Sequence, residues 1–221
     1  MNEIVYILEI VILFMNFMLL NSSRIKICII IMATHGILIT IFPIFLNFNN
    51  FSLEILFFLI LNIILKSIVF PYLLFRALRE AKIRKEVEPI GGYPLSLVIG
   101  VILFALSLWL SKKISGFQNS IFYFATAISF TTIFTGGLMI LTRLKAITQV
   151  VGYLVLENGI YFFGNLFLKE QSLLIELAIL LDIFVAVFVM GIAIFHINRE
   201  FNHIDTEKLS FLKDSIEKKE E

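Results

Sequence analysis

Long apolar segments, separated by short polar stretches, follow one another along most of this chain. Seven of them approach or exceed the ~20 apolar residues that a helix needs to cross the hydrocarbon core of a bilayer. They are Ile4–Leu20, Ile27–Leu46, Leu53–Phe75, Leu95–Leu110, Ile121–Leu141, Ala146–Leu168 and Leu173–Ile197. The pattern predicts an all-α integral membrane protein with about seven transmembrane helices.

The composition favours the same class. The chain has 221 residues, of which 59% are hydrophobic and 16% are charged, and its mean hydropathy is +0.97. A soluble domain of this length could not bury so much apolar surface in one core, whereas a bilayer accepts it on every helix face. The first segment has no basic leader, so we expect a retained helix and not a cleaved signal peptide.

Basic residues in the predicted loops lie mainly on one side of the membrane, which marks the cytoplasmic side. The loops after the first, third and fifth segments and the tail contain Arg24, Lys26, Arg76, Arg79, Lys82, Arg84, Lys85, Arg143, Lys145, Arg199, Lys208, Lys213, Lys218 and Lys219. The opposite side contains Lys112, Lys113 and Lys169. The sequence therefore predicts an amino terminus outside and a carboxyl terminus in the cytoplasm.

The sequence contains no motif that would bind a metal ion or a redox cofactor. Cys28 is the single cysteine, and no Cys or His spacing suits zinc, haem or an iron–sulfur cluster. We therefore expect this chain to bind no cofactor, and nothing indicates a nucleic-acid partner.

Polar side chains interrupt the sixth segment at a regular spacing of four residues: Gln149, Tyr153, Glu157, Tyr161 and Asn165. They form a slowly winding stripe along one side of a helix. A charged side chain near the bilayer centre costs roughly 2.5–3.5 kcal/mol on insertion scales, and Ser or Asn would serve as well for holding helices together. The stripe predicts a proton relay at Glu157 with Tyr153 and Tyr161 beside it. For the amide side chains of Gln149 and Asn165, the alternative is hydrogen bonding to neighbouring helices.

Asp182 interrupts the seventh segment at a depth similar to that of Glu157. The short loop between the two segments makes their helices antiparallel neighbours, so we expect the two carboxyl groups to meet near mid-membrane. Two desolvated carboxylates close together cannot both stay ionised easily, and one is then able to load and unload a proton. Glu176 lies nearer the outer surface. Two interpretations are possible for it: an entrance for protons, or a side chain that is simply solvated.

Lys66 is a basic residue inside the third segment, about 20 Å from its outer end by residue count. We predict that its ammonium couples electrically to Glu157 or Asp182, with snorkelling toward the cytoplasmic face as the alternative. Asn62 lies one turn before Lys66, and Pro71 weakens the helix five residues after it and frees a carbonyl group.

His35 in the second segment is a further candidate proton carrier, although a histidine bonded to a neighbouring helix is commoner. The structural alternative is stronger still for Glu9 and Asn16 in the first segment. The fifth segment presents a face of small residues, which favours close helix packing: Ser129, Thr132 and Gly136, with Gly137 beside them.

The last part of the chain combines three spans with a Leu156-Glu157 pair in the second, Asp182 in the third and a polar tail from Asn202 to Lys213. In these features the region from Gly136 to Lys213 resembles the K subunit of complex I and the C subunit of Mrp antiporters. Glu157 matches the first carboxylate of the K subunit. Asp182 matches the second, which is Glu in complex I.

Further motifs extend this resemblance over nearly the whole chain: Leu156-Glu157-Asn158-Gly159-Ile160, Val189-Met190-Gly191, Ile197-Asn198-Arg199-Glu200-Phe201, and Lys66 followed by Pro71. With its additional spans before the K-like unit, the chain looks most like hydrogenase-4 component E. The resemblance implies a four-helix membrane region over 1–115, a three-helix proton-path unit over 116–200 and a cytoplasmic tail over 201–221.

A resemblance to this family implies membership of a complex I-like assembly in the cytoplasmic membrane of a prokaryotic cell, such as a group 4 [NiFe] hydrogenase or a formate hydrogenlyase. The implied partners are antiporter-like and quinone-site-type membrane subunits, a peripheral hydrogenase-like arm and the lipid bilayer. The Ni–Fe centre and the iron–sulfur clusters are expected in those partner subunits, and this chain alone is expected to catalyse nothing.

Three other functions remain alternatives. The same fold could serve a Mrp-type cation/proton antiporter or an NADH:quinone oxidoreductase-like complex, which the neighbouring genes would distinguish. An autonomous transporter would be expected to contain internal repeats with broken helices, and none is visible. A scaffold subunit would tolerate the joint neutralisation of Glu157, Asp182 and Lys66.

Overall fold

The structure, a computed structural model, is almost entirely helical over the residues it describes, which are 2–46, 53–80, 89–115, 120–167, Phe184 and Gly191. The helices are α1 (Asn2–Asn21), α2 (Ile25–Leu46), α3 (Leu53–Ile64), α4 (Phe70–Glu80), α5 (Gly92–Ser115), α6 (Ser120–Thr142) and α7 (Ala146–Phe167). A π-helical turn, Leu65–Val69, joins α3 to α4 without a break.

Within this part of the chain, six helices are long and apolar enough to cross a membrane: α1, α2, the joined α3 and α4, α5, α6 and α7. They coincide with the first six predicted segments, so the prediction of a multi-pass, all-α membrane protein is confirmed to that extent. Apart from Phe184 and Gly191, the seventh predicted segment, including Glu176 and Asp182, lies outside the described residues, as do the tail and most of the loop after α4.

Contacts at the helix ends show how the bundle is arranged. At one end, the hydroxyl groups of Tyr6 in α1 and Ser120 in α6 are 2.5 Å apart. At the other end, the Arg143 guanidinium, just after α6, donates to the carbonyl oxygen of Leu20 at 3.0 Å. Helices α1 and α6 therefore run parallel, and α7 returns antiparallel to α6.

Arg143 holds several elements together at its end of the bundle. Its side chain is buried and caps the last turn of α1, where a cation meets the negative end of the helix dipole. Its guanidinium also lies 5.8 Å from the centre of the Tyr93 ring in α5. Burial lowers the pKa of Arg143, and the nearby Cys28 and Tyr93 offset part of that effect. The sequence predicts a loop residue here but not its burial.

The connection into α5 is a tight turn against the α6–α7 loop. The Ile90 amide donates to the carbonyl oxygen of Thr142 at 2.9 Å, beside a bridge between Pro89 and Arg143. Gly91 and Gly92 follow with φ values of 90° and 84°, a backbone region that side chains other than glycine rarely adopt. Residues 89–92, just before the fourth predicted segment, therefore form a tight turn.

Glycines set the closest helix contact of the bundle, between α6 and α7. A Cβ atom placed on Gly136 would fall against the Leu156 amide nitrogen and 2.5 Å from the Gly152 carbonyl oxygen, and one on Gly159 would lie 2.6 Å from the Ile133 nitrogen. Only glycine permits this backbone approach. Gly136 therefore belongs to a packing face as predicted, whereas a Cβ on Gly137 would meet nothing within 4 Å.

Two apolar clusters fill the bundle, one toward each end. The Arg143-side cluster includes Leu19, Met32, Phe70, Leu74, Met139 and Val155. The Tyr6-side cluster includes Val5, Ile12, Ile39, Phe42, Ile128 and Phe162.

Polar side chains occupy the level between these two clusters. On α7, for example, the Arg143-side cluster ends at Val155 and the Tyr6-side cluster begins at Tyr161. We call the buried polar residues at this level the polar layer: Asn16, His35, Lys66, Thr132, Glu157 and Asn158. The polar layer thus has one apolar cluster on each side along the bundle.

Candidate functional site in the polar layer

An ion pair between Lys66 and Glu157 lies at the centre of the polar layer. The Nζ atom of Lys66 is 3.4 Å from Oε1 of Glu157, and the two side chains are 3% and 2% exposed. Glu157 is about 15 Å from either end of α7 at the usual helical rise. The structure therefore brings together two of the predicted site residues, from helices far apart in sequence, and buries both charges.

The shortest hydrogen bond of the ammonium is to a neutral amide. Lys66 Nζ donates to Oδ1 of Asn158 at 2.7 Å and lies 4.9 Å from the centre of the Tyr161 ring, a cation–π distance. The separation from Glu157 exceeds the 2.7–2.9 Å or so of a short charge-assisted bond. Asn158 thus fixes the ammonium beside the carboxylate without a short bond that would lock the two together.

Lys66 lies within the π-helical turn Leu65–Val69. The Phe70 amide donates to the carbonyl oxygen of Leu65, five residues earlier, instead of four. In the same register the donor for the Lys66 carbonyl would be the nitrogen of Pro71, which has no hydrogen. The Lys66 carbonyl therefore lacks its helical donor in the same turn as the buried ammonium. Such π turns are frequent at functional sites.

Helix α2 closes over the pair because residue 36 is a glycine. A Cβ atom on Gly36 would lie 3.2 Å from Cδ of Lys66 and 3.3 Å from Nδ2 of Asn158. Next to it, His35 is fully buried. One turn before Lys66, Asn62 of α3 is linked to Thr40 of α2 by a 3.2 Å hydrogen bond.

Several polar atoms around the pair have no hydrogen-bond partner among the described residues. They are both carboxylate oxygens of Glu157, both ring nitrogens of His35, Nδ2 of Asn62 and Nδ2 of Asn158. Buried polar atoms in proteins are nearly always bonded, so such a concentration is unusual for a purely structural contact. Chemically, the carboxyl group of Glu157 and the imidazole of His35 are groups that exchange protons, and the two amide nitrogens are hydrogen-bond donors.

The remaining stripe residues of α7 divide into two groups. Those at its ends bond to nearby backbone: Gln149 donates to the Arg143 carbonyl oxygen at 2.9 Å and Asn165 to that of Tyr161 at 3.0 Å. Tyr161 is buried beside Lys66, whereas Tyr153 is partly buried and packs on the Arg143-side cluster. The central part of the stripe, and not its ends, therefore contributes to the site.

Sequence reasoning missed Asn158 and Gly36 as parts of this site. The asparagine next to Glu157 does not fit the four-residue spacing of the stripe, and the glycine looks ordinary inside an apolar helix. A buried lysine needs an acceptor besides its counter-ion, and this requirement could have pointed to Asn158. Over the described ranges, no three His, Cys, Asp or Glu side chains are grouped so that they could hold a metal ion.

Comparison with known proteins gives one informative match. No family model matches the chain, and no solved structure matches it. The chain is 30% identical over 151 residues to the uncharacterized protein Rv0085 of Mycobacterium tuberculosis, and the alignment covers 68% of the chain and 69% of that protein. Because this identity extends over about two thirds of each protein, the chain and the mycobacterial protein Rv0085 belong to one family.

Proposed function

We propose that this chain is a membrane subunit of a complex I-like, membrane-bound hydrogenase or formate hydrogenlyase-type complex and contributes to its proton path. The observation that carries the proposal is the Lys66–Glu157 ion pair, buried near mid-membrane beside polar atoms that have no hydrogen-bond partner among the described residues. Desolvating two charges costs several kcal/mol per ion before their attraction is counted. A purely apolar contact would hold the helices at lower cost.

The pair is suited to moving a proton because its two protonation states differ only in which of the two side chains holds the proton. In one state the ammonium faces a carboxylate; in the other a neutral amine faces a protonated carboxyl group. A charge that approaches from a neighbouring subunit shifts the balance between these states, since electrostatic forces act strongly in a medium of low dielectric constant. The proton then leaves along the polar layer and is replaced, while Asn158 keeps the lysine in place.

The full topology is part of the proposal. We infer seven spans, with the amino terminus outside and the carboxyl terminus in the cytoplasm of a prokaryotic cell. In support, the described basic residues of the α1–α2 and α6–α7 connections, Arg24, Arg143 and Lys145, lie at one end of the bundle. Lys112 and Lys113 lie at the opposite end of α5. This asymmetry follows the positive-inside rule.

Replacing Glu157 by Gln tests the proposal. The native complex would be purified, its companion subunits identified by mass spectrometry, and redox-driven proton uptake measured in liposomes. We expect Glu157→Gln to assemble, because the side-chain shape is kept and Lys66 retains its hydrogen bond to Asn158, but to reduce proton translocation at least about tenfold, the equivalent of about 1.4 kcal/mol in a barrier.

The matched control is Glu3→Gln, which neutralises an exposed carboxylate of α1 and should leave translocation unchanged. Wild-type translocation in Glu157→Gln would refute the proton-path function and favour a scaffold. Copurification with cation-antiporter subunits alone would replace the hydrogenase assignment.

A further inference from the structure

A second line of polar groups runs along the contact between α1 and α6. At its outer end, the Tyr6 and Ser120 hydroxyl groups share a hydrogen bond of 2.5 Å. At its inner end, Nδ2 of Asn16 donates to Oγ1 of Thr132 at 2.8 Å. Glu9 lies between these two bonds on α1. The three α1 side chains fall within an arc of about 80° at 100° per residue, so they share one side of the helix.

Glu9 is a buried carboxyl group of α1. Its side chain is 2% exposed, and its Oε1 atom has no hydrogen-bond partner in the described part of the chain. Apolar residues of the Tyr6-side cluster, Val5 and Ile12, lie on either side of it along α1. An unpaired carboxyl group is a costly choice inside a membrane bundle, and a glutamine would fill the same space. Packing therefore does not explain why this position carries a carboxyl group.

The inner end of this line meets the polar layer. Thr132 lies on α6 between Ser129 and Gly136, and both of those residues contact α7, Ser129 at Gly159 and Gly136 at Gly152 and Leu156. These α7 contacts flank Glu157 and Asn158 in sequence. The Asn16–Thr132 bond thus lies at about the same level along the bundle as the ion pair, and Glu9 lies about 10 Å from Asn16 toward the Tyr6 end.

We propose that Glu9 is a second proton-binding carboxyl group, which connects the Tyr6 end of the bundle with the Lys66–Glu157 pair. This inference rests on the proposed proton-path function. A proton arriving past Tyr6 and Ser120 forms an O–H bond with the Glu9 carboxylate. That bond breaks when the proton passes on toward Asn16 and Thr132, and the carboxylate is restored. No oxidant or reductant takes part, and Glu9 returns to its starting charge after each transfer.

The test is Glu9→Gln in the intact complex, beside Glu157→Gln and the exposed control Glu3→Gln. We expect proton translocation in Glu9→Gln to fall at least fivefold at unchanged subunit content, and Glu9→Asp, which keeps a carboxyl group, to recover part of it. Wild-type translocation in Glu9→Gln together with loss in Glu157→Gln would overturn this inference and leave the proposed function standing. Wild-type translocation in both variants would overturn both.

An infrared measurement covers the case in which Glu9→Gln does not assemble. The difference spectrum between resting and turning-over complex should contain a protonated-carboxyl band that shifts in frequency in Glu9→Asp. A spectrum in which Glu9→Asp changes no carboxyl band would overturn the inference, because a group that binds and releases a proton must contribute one.

Discussion

Replacing Lys66 by Met should destabilise the chain by about 3–5 kcal/mol, because it leaves Glu157 buried without its cation. Because the unpaired carboxyl group of Glu157 can become protonated, the loss of stability should lie toward the lower end of this range. Proton translocation should be abolished as well, since the proposed exchange needs both members of the pair. The free energy of unfolding of the full-length chain in mixed detergent micelles, titrated with SDS, measures the first effect.

Two further variants separate charge from packing at this site. The double variant Lys66→Met/Glu157→Gln removes both charges and should recover most of the stability but none of the translocation. Lys113→Met is the matched control: its ammonium lies 4.0 Å over the Trp109 ring in an exposed position, where such a contact contributes only about 0.5–1 kcal/mol. Equal destabilisation by Lys66→Met and Lys113→Met would show that the buried pair is energetically unimportant.

Gly136→Ala is expected to be the most damaging change that adds a single methyl group. The new Cβ would fall against the backbone of Leu156, which cannot rotate away as a side chain could, so α6 and α7 must separate. Overpacking of this kind typically costs about 1–3 kcal/mol. Because Leu156 precedes Glu157, the displacement should also reduce proton translocation.

The adjacent Gly137→Ala variant is a close control, since a Cβ there meets nothing within 4 Å. Alanine has the higher helix propensity by about 1 kcal/mol in soluble hosts, so this variant should be neutral or slightly stabilising. The same SDS titration compares the two. Similar unfolding midpoints for Gly136→Ala and Gly137→Ala would contradict the close contact between α6 and α7.

The membrane helices could be predicted from sequence because their signal is local. A run of apolar residues long enough to cross a bilayer specifies a helix without reference to the rest of the chain, and the first six predicted segments match described helices within a few residues. The π turn was not predictable from Pro71 alone. Proline removes a hydrogen bond, but the change of register to Leu65 depends on how Lys66 packs against α2 and α7.

The candidate site could be predicted only in part, because its geometry depends on which helices are neighbours. The sequence indicates Lys66 and Glu157 as charges inside apolar segments and predicts that Lys66 couples to Glu157 or Asp182, but no feature of the spans indicates that α2, α7 and the π turn meet at Gly36. Asn158 and Glu9 show the same limit in another form. The position of each residue on its own helix does not reveal its role, because that role depends on the side chains of the facing helix. Asp182 and Glu176 stay predictions, since they lie outside the described residues.

The most direct measurement is infrared difference spectroscopy of Glu157 during turnover of the intact complex. If the Lys66–Glu157 pair passes protons, a protonated-carboxyl band should appear and disappear with each cycle, and it should be missing in Glu157→Gln. A Glu157 side chain that keeps one protonation state throughout turnover, with wild-type and Glu157→Gln spectra identical in the carboxyl region, would contradict a proton-carrying pair.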